Sequence, residues 1–245
     1  MESDDVKKMI KIGGVCGIVG IAIFLGVALV LEQLFWQNLG LSSTEQFLTT
    51  QGNSPYYQIS IGAHLLVGIA MLLLAVAFFG LHRLLTYESS RITVTIGSAF
   101  GIIACAIMVI QATVQGTIMG RMGTTYLKAA SDPERQSVVA LYKGLRLFDQ
   151  GIDLAFDTFF FFGWIVLAFA MTSDKHFGKI LGSLGILLFG IAVIVNAWSA
   201  PLPPSFEMSP IVSLWVLAVY IQMLRAARSV PGVDEVRLNT RSVSS

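Results

Sequence analysis

Six apolar runs alternate with short clusters of charge along this chain. The first covers about Ile10–Leu31 and contains twenty consecutive uncharged residues, Ile12 to Leu31. The second, about Tyr56–Leu81, is interrupted only by His64. The third lies between Arg91 and Arg121, about Ile92–Ile118. The others are about Ile152–Met171, Ile180–Ala200 and Pro210–Leu224. A helix rising ~1.5 Å per residue needs about 20 residues to cross ~30 Å of hydrocarbon, and each run has roughly that length. The pattern predicts an all-α integral membrane bundle of six transmembrane helices. These form one domain over residues 1–230, followed by a flexible cytoplasmic tail, 231–245. The first run exceeds the ~7–15 residues of a signal-peptide core, so it reads as a retained span.

Helix-end signals refine the picture. Ser209-Pro210 puts a capping hydroxyl before a proline at the first helical position. Ser131-Asp132-Pro133-Glu134 does the same well before span four. A helix could therefore run unbroken from Pro133 to Met171. Its first half, Val138 to Phe148, would project from the membrane or lie on it. Pro201, Pro203 and Pro204 end span five.

Composition narrows the function classes. Charged residues make up 13% of the 245, against roughly 25% in a soluble domain, and mean hydropathy is +0.74. A soluble enzyme and a disordered chain are excluded. Sixteen Lys and Arg against fifteen Asp and Glu leave a net charge of +1, too little to serve a nucleic-acid binder. The lipid bilayer is the expected partner. Cys16 and Cys105 lie singly in apolar runs and read as buried small residues.

Positive charge sets the orientation. With the N-terminus cytoplasmic, eleven of the sixteen Lys and Arg fall inside, and the outer loops Glu32–Pro55 and Pro201–Ser209 carry none. The remaining five, Arg121, Lys128, Arg135, Lys143 and Arg146, occupy the middle outer segment against the rule. Short loops weigh more than long ones, so both termini are expected inside. Small-residue pairs at Gly13/Gly17, Gly97/Gly101, Gly116/Gly120 and Gly178/Gly182 permit close helix contact, read here as packing within one chain. They fix no oligomeric state.

In that orientation the embedded polar residues gather in the outer half. Glu32 and Gln33 end span one; His64 is in span two, Gln111 and Gln115 in span three, and Asn196 in span five. Asp149, Asp153 and Asp157 enter span four. At ~100° per residue, Arg146, Asp153 and Asp157 fall within about 40° of one another, with Asp149 about 60° from Arg146. An ionised Asp near mid-membrane costs ~2.5–3.5 kcal/mol, so this stripe should face the bundle interior, a wet cavity or a cation. Gln111 and Gln115 share one face of span three.

The leading expectation is a non-enzymatic protein whose polar pocket binds a cation or small solute. Asp153 and Asp157 would be ligands or proton carriers and Asp149 a carboxylate at the rim. His64, Gln111 and Gln115 would face them, with Arg121 and Arg146 balancing charge. A second reading is a structural or accessory subunit in which the same residues hold helices together. A third is a hydrolase using His64 with Asp153 or Asp157 around a divalent metal. Known intramembrane chemistries are not written in the chain. His64, His82 and His176 lack HExxH spacing, and GxSG and GxGD motifs are absent. No resident metal or cofactor is expected.

Residues Thr113–Phe169 contain Gly120-Arg121, a polar segment with Tyr126-Leu127, the amphipathic Leu141–Phe148, Asp149-Gln150-Gly151, and a phenylalanine-rich helix with Phe162-Gly163. This quarter of the chain resembles an uncharacterised family of six-span prokaryotic membrane proteins with a domain of unknown function. The resemblance implies a six-helix bundle in a prokaryotic plasma membrane. It supplies no activity and no catalytic residues. The density of Asp149, Asp153 and Asp157 departs from it.

Overall fold

A computed structural model describes residues 3–27, 43–53, 56–86, 91–199 and 209–229. Those residues are 94% helical, with no strand among them. The helices are α1 (Ser3–Val27), α2 (Thr44–Gly52), α3 (Tyr56–Leu85), α4 (Arg91–Thr113), α5 (Gly120–Lys128), α6 (Asp132–Met171), α7 (Gly178–Ser199) and α8 (Ser209–Ser229). A π-helical turn, Val114–Met119, joins α4 to α5. Six of the helical stretches are long and apolar enough to cross a membrane, the third running from Arg91 to Lys128. Their outward faces are apolar: Ile180 is 87% exposed, and Leu65, Leu72 and Ile194 are also exposed. Such faces require lipid, because water would oppose them and the backbone is already satisfied within each helix. The chain is a multi-pass membrane protein.

Helix ends follow the local chemistry. Ser43 caps α2, its Oγ accepting the Gln46 amide at 3.2 Å. At the start of α6 the Ala130 amide donates to Glu134 Oε2 at 2.7 Å, and Pro133 sits in the first turn where no amide is needed. That helix runs forty residues without a break. The predicted loop 201–208, the tail 231–245, Glu32 and Gln33 lie outside the described residues, as does the side chain of Asn196.

By packing, the chain divides into two units. One comprises Met1–Ile21, Leu73–Ile102 and Phe159–Ser245; the other comprises Ala22–Leu72 and Ile103–Thr158.

The first unit is built on aromatic rings. Trp164 of α6 stacks on Phe189 of α7 with centroids 5.9 Å apart and planes at 12°. Trp215 of α8 meets it edge-on at 5.5 Å, and Phe78 of α3 lies 5.1 Å away. Tyr220 of α8 completes the cluster at 6.0 Å. Offset and edge-to-face pairs of this kind contribute ~0.5–1.5 kcal/mol each beyond the area they bury. Glycines on neighbouring helices make room for the rings. A Cβ at Gly17 would meet the Tyr220 ring at 2.4 Å, and one at Gly185 would meet Trp215 at 2.3 Å. Gly97, Gly101 and Gly163 bring α4 and α6 together in the same way, a Cβ at Gly163 lying 3.0 Å from the Gly101 amide nitrogen. Trp215 is further fixed by its Nε1–H, which donates to the Leu181 carbonyl at 3.1 Å. Gly185→Ala should therefore tilt Trp215 and weaken that bond. The expected loss is about 1–2 kcal/mol, within the usual range for overpacking, read as a lower midpoint of thermal unfolding with a changed tryptophan fluorescence.

The second unit contains two elements that the hydrophobic pattern does not predict. The short helix α2 lies on α5 and on the first half of α6, burying Leu48 among Met119, Met122, Val139 and Tyr142. Phe47 packs on the Tyr142 ring at 5.3 Å. The first half of α6, expected to project from the membrane or lie on it, thus has a small apolar core of its own. The π turn is the other element.

Candidate functional site

The polar residues of the second unit meet along a seam between α4 and α6. These two helices run antiparallel there, and their polar side chains are in register. A step of four from Gln111 of α4 to Gln115 in the π turn that follows it is matched by a step of four back along α6, from Asp153 to Asp149. One helical turn on each side separates the two pairs.

The Gln115–Asp149 pair is the tighter. Gln115 Nε2 donates to both carboxylate oxygens of Asp149, at 2.9 and 3.0 Å. Arg146, one turn back on α6, places Nη1 3.5 Å from Asp149 Oδ2. Asp149 is only 3% exposed. It occupies a line of buried α6 residues seven apart, with Tyr142 before it and Phe156 after it. Read from the sequence as a rim carboxylate, it is instead the most buried of the three acids. A seven-residue step keeps a side chain on one face of a helix, so its neighbours on that line carry it into the core.

The Gln111–Asp153 pair is looser. Gln111 Nε2 donates to Asp153 Oδ1 at 3.3 Å, a long bond from a neutral donor. Gln111 is itself 3% exposed, and its Oε1 is buried with no hydrogen-bond partner. Asp153 is exposed, although Asp149 and Phe156 on the same side of α6 are buried. The seam is therefore open beside Asp153. Asp157, one turn further, is half-buried and has a partner of its own.

Away from the seam the outward faces are mixed, with Thr113, Thr117 and Gln150 exposed among large apolar residues. Ile110 and Ile118 point outward from the α4 side, and Leu147, Phe148 and Leu154 from α6. Large apolar residues at this level make pairing favourable for the buried Asp149.

The π turn is part of the seam, because it carries Gln115. It begins at Val114, one residue before Gln115, and the Gly120 amide bonds back to the Gln115 carbonyl five residues earlier. Gly116 within it packs against His64, where a Cβ would come within 2.9 Å of the histidine Cβ. Single π turns of this kind recur at functional sites. His64 reaches the edge of the seam but bonds within its own helix. Its Nδ1 lies 2.6 Å from the Ser60 carbonyl oxygen, an acceptor, so Nδ1 carries a hydrogen. Among the described residues no hydrogen bond joins His64 to an aspartate, and no three His, Cys, Asp or Glu side chains come together as metal ligands.

Arg121 stands apart. It is exposed on α5, its carbonyl accepts the Thr124 and Thr125 hydroxyls, and among the described residues it makes no ion pair. Arg146 alone of the two arginines touches an acid of the seam. The sequence reading missed the division of labour between the two glutamines. The equal spacing of Gln111/Gln115 and Asp149/Asp153 was the available signal, because antiparallel neighbours bring equal spacings into register.

No protein-family model, no curated protein and no solved structure matches the chain. The likeness over Thr113–Phe169 has no family model behind it.

Proposed function

We propose that this membrane protein binds a cation or small solute at the α4–α6 seam, for transport or sensing, and catalyses no reaction. One observation carries the reading. Asp153 is an exposed carboxylate at a level rich in large apolar residues, held by a single long bond and set beside the buried, unpartnered carboxamide oxygen of Gln111. A ligand offering positive charge or hydrogen would satisfy both acceptors. With both termini cytoplasmic, as the Lys and Arg bias favours, the opening faces the outer leaflet of a plasma membrane.

The test uses purified protein in lipid nanodiscs and a panel of inorganic cations, small amines and polyols. At least one should raise the thermal midpoint saturably in the wild type and fail to do so in Asp153→Asn. Identical responses of the two proteins to every probe would remove the support for a binding role.

The Gln115–Asp149–Arg146 clamp favours a second reading, an accessory subunit whose seam only fixes helix packing. Asp149 already has all its charge engaged, which suits a structural tie. That reading expects the panel to leave stability unchanged.

A further inference from the structure

We propose that the ligand of this seam is a univalent alkali-metal cation, held between the Asp153 carboxylate and the Gln111 carboxamide oxygen. The inference rests on the binding reading above and adds the class of ligand. Charge is the first argument. Asp149 is bridged by Gln115 and paired with Arg146, and Asp157 has an interaction of its own. Asp153 has one neutral hydrogen-bond donor and, among the described residues, no ion pair, so its carboxylate offers one negative charge to a ligand. One positive charge cancels it. A divalent ion would leave a net positive charge beside the large apolar residues of α4 and α6, at a substantial desolvation cost.

The donor set is the second argument. The oxygens on offer are the Asp153 carboxylate and, once the amide that now donates through Nε2 turns over, the Gln111 carboxamide oxygen, both hard ligands suited to hard cations. Among the described residues no three His, Cys, Asp or Glu side chains gather to favour a transition metal. The third argument is the orphaned oxygen. Gln111 is almost wholly buried, its amide is directed at Asp153 through Nε2, and Oε1 is the other arm of that same amide. A buried acceptor left unmatched is unfavourable, and a bound cation relieves it. Asp153, exposed on the open side, gives the ion a route in and leaves room for water to complete its shell.

The experiment follows the thermal midpoint of the full chain in nanodiscs as LiCl, NaCl and KCl are raised against N-methylglucamine chloride at constant ionic strength. MgCl2, CaCl2 and methylammonium chloride are run as separate arms. At least one alkali cation should stabilise the wild type saturably. Asp153→Asn should shift half-saturation upward at least tenfold, and Gln111→Leu should weaken binding in the same direction. Arg121→Gln should leave it unchanged. The wild-type titration stands even if a variant does not fold. An Asp153-dependent response to the divalent ions or to methylammonium, with none to alkali cations, would overturn the ligand class and leave the binding reading intact. An alkali response that is equal in Asp153→Asn would overturn the site. No response to any probe would overturn both the ligand class and the binding reading.

Discussion

Gln115→Leu should destabilise the protein by about 3 kcal/mol. A hydrogen bond to a charged group contributes ~1.5–3 kcal/mol, and loss of a partner from a buried ion adds the desolvation of what remains. Here one amide serves both oxygens of a carboxylate that is almost fully buried. Without it, Asp149 keeps only Arg146, at 3.5 Å and from a side chain that is 56% exposed. Exposed partners are weakened by solvent and by the entropy of holding a long side chain in place. Arg146 therefore offsets little of the loss. The informative control is Gln115→Leu combined with Asp149→Leu. Removing both partners eliminates the unpaired charge, and apolar pairs of similar shape often replace buried polar ones at little cost. The double variant should be more stable than Gln115→Leu alone, so the two changes are strongly non-additive. Unfolding by denaturant in micelles measures both. A neutral single variant, or losses that simply add, would contradict the clamp.

The six spans were legible because they are signals of composition. Twenty residues without charge, as from Ile12 to Leu31, have few fates other than a bilayer, whatever they pack against. The unbroken α6 was legible from Pro133 and Glu134 at its start. The spacing of small residues was legible too. Gly13, Gly17, Gly97, Gly101, Gly116, Gly120 and Gly182 each face a neighbour from the same chain, whereas Gly178 faces open space with φ +73°.

What the sequence hid depends on partners far along the chain. Helix α2 has only Phe47 and Leu48 as large apolar residues, too few for a periodic pattern. It is placed by α5 and α6, where Leu48 is fully buried. The π turn has no composition of its own, and nothing near Gly116 in the sequence announces that His64 will lie against it. The depth of Asp149 was misread for a related reason. Arg146, Asp153 and Asp157 cluster on a helical wheel, but the buried line of α6 passes through Tyr142, Asp149 and Phe156, a choice made by the helices it meets. Sequence periodicity gives a face, and only the neighbouring helix decides which edge of that face is covered.

Gly123→Ala is expected to detach α2. A methyl group there would sit 2.4 Å from the Gly52 amide nitrogen, 2.7 Å from the Leu48 carbonyl oxygen and 2.9 Å from the Gln51 carbonyl carbon. All three are backbone atoms, so no rotamer change relieves the clash, and α2 and α5 must separate. Two costs compete. Keeping the helices together requires backbone distortion, which rises steeply with displacement. Letting α2 go exposes Leu48 and frees Phe47 from the Tyr142 ring; burying a leucine alone contributes ~1.5–3 kcal/mol. Undocking therefore caps the penalty at roughly 3–6 kcal/mol, the burial of the two side chains, and the strain should be released that way. Hydrogen exchange should show residues 44–52 losing protection while the aromatic core around Trp164 keeps it. Gly151→Ala supplies the contrast. It lies on α6 with open space around its Cβ, so the same methyl should be neutral or stabilising by ~0.5–1 kcal/mol through helix propensity. Equal effects at both glycines would mean that propensity, not the approach of two backbones, governs position 123.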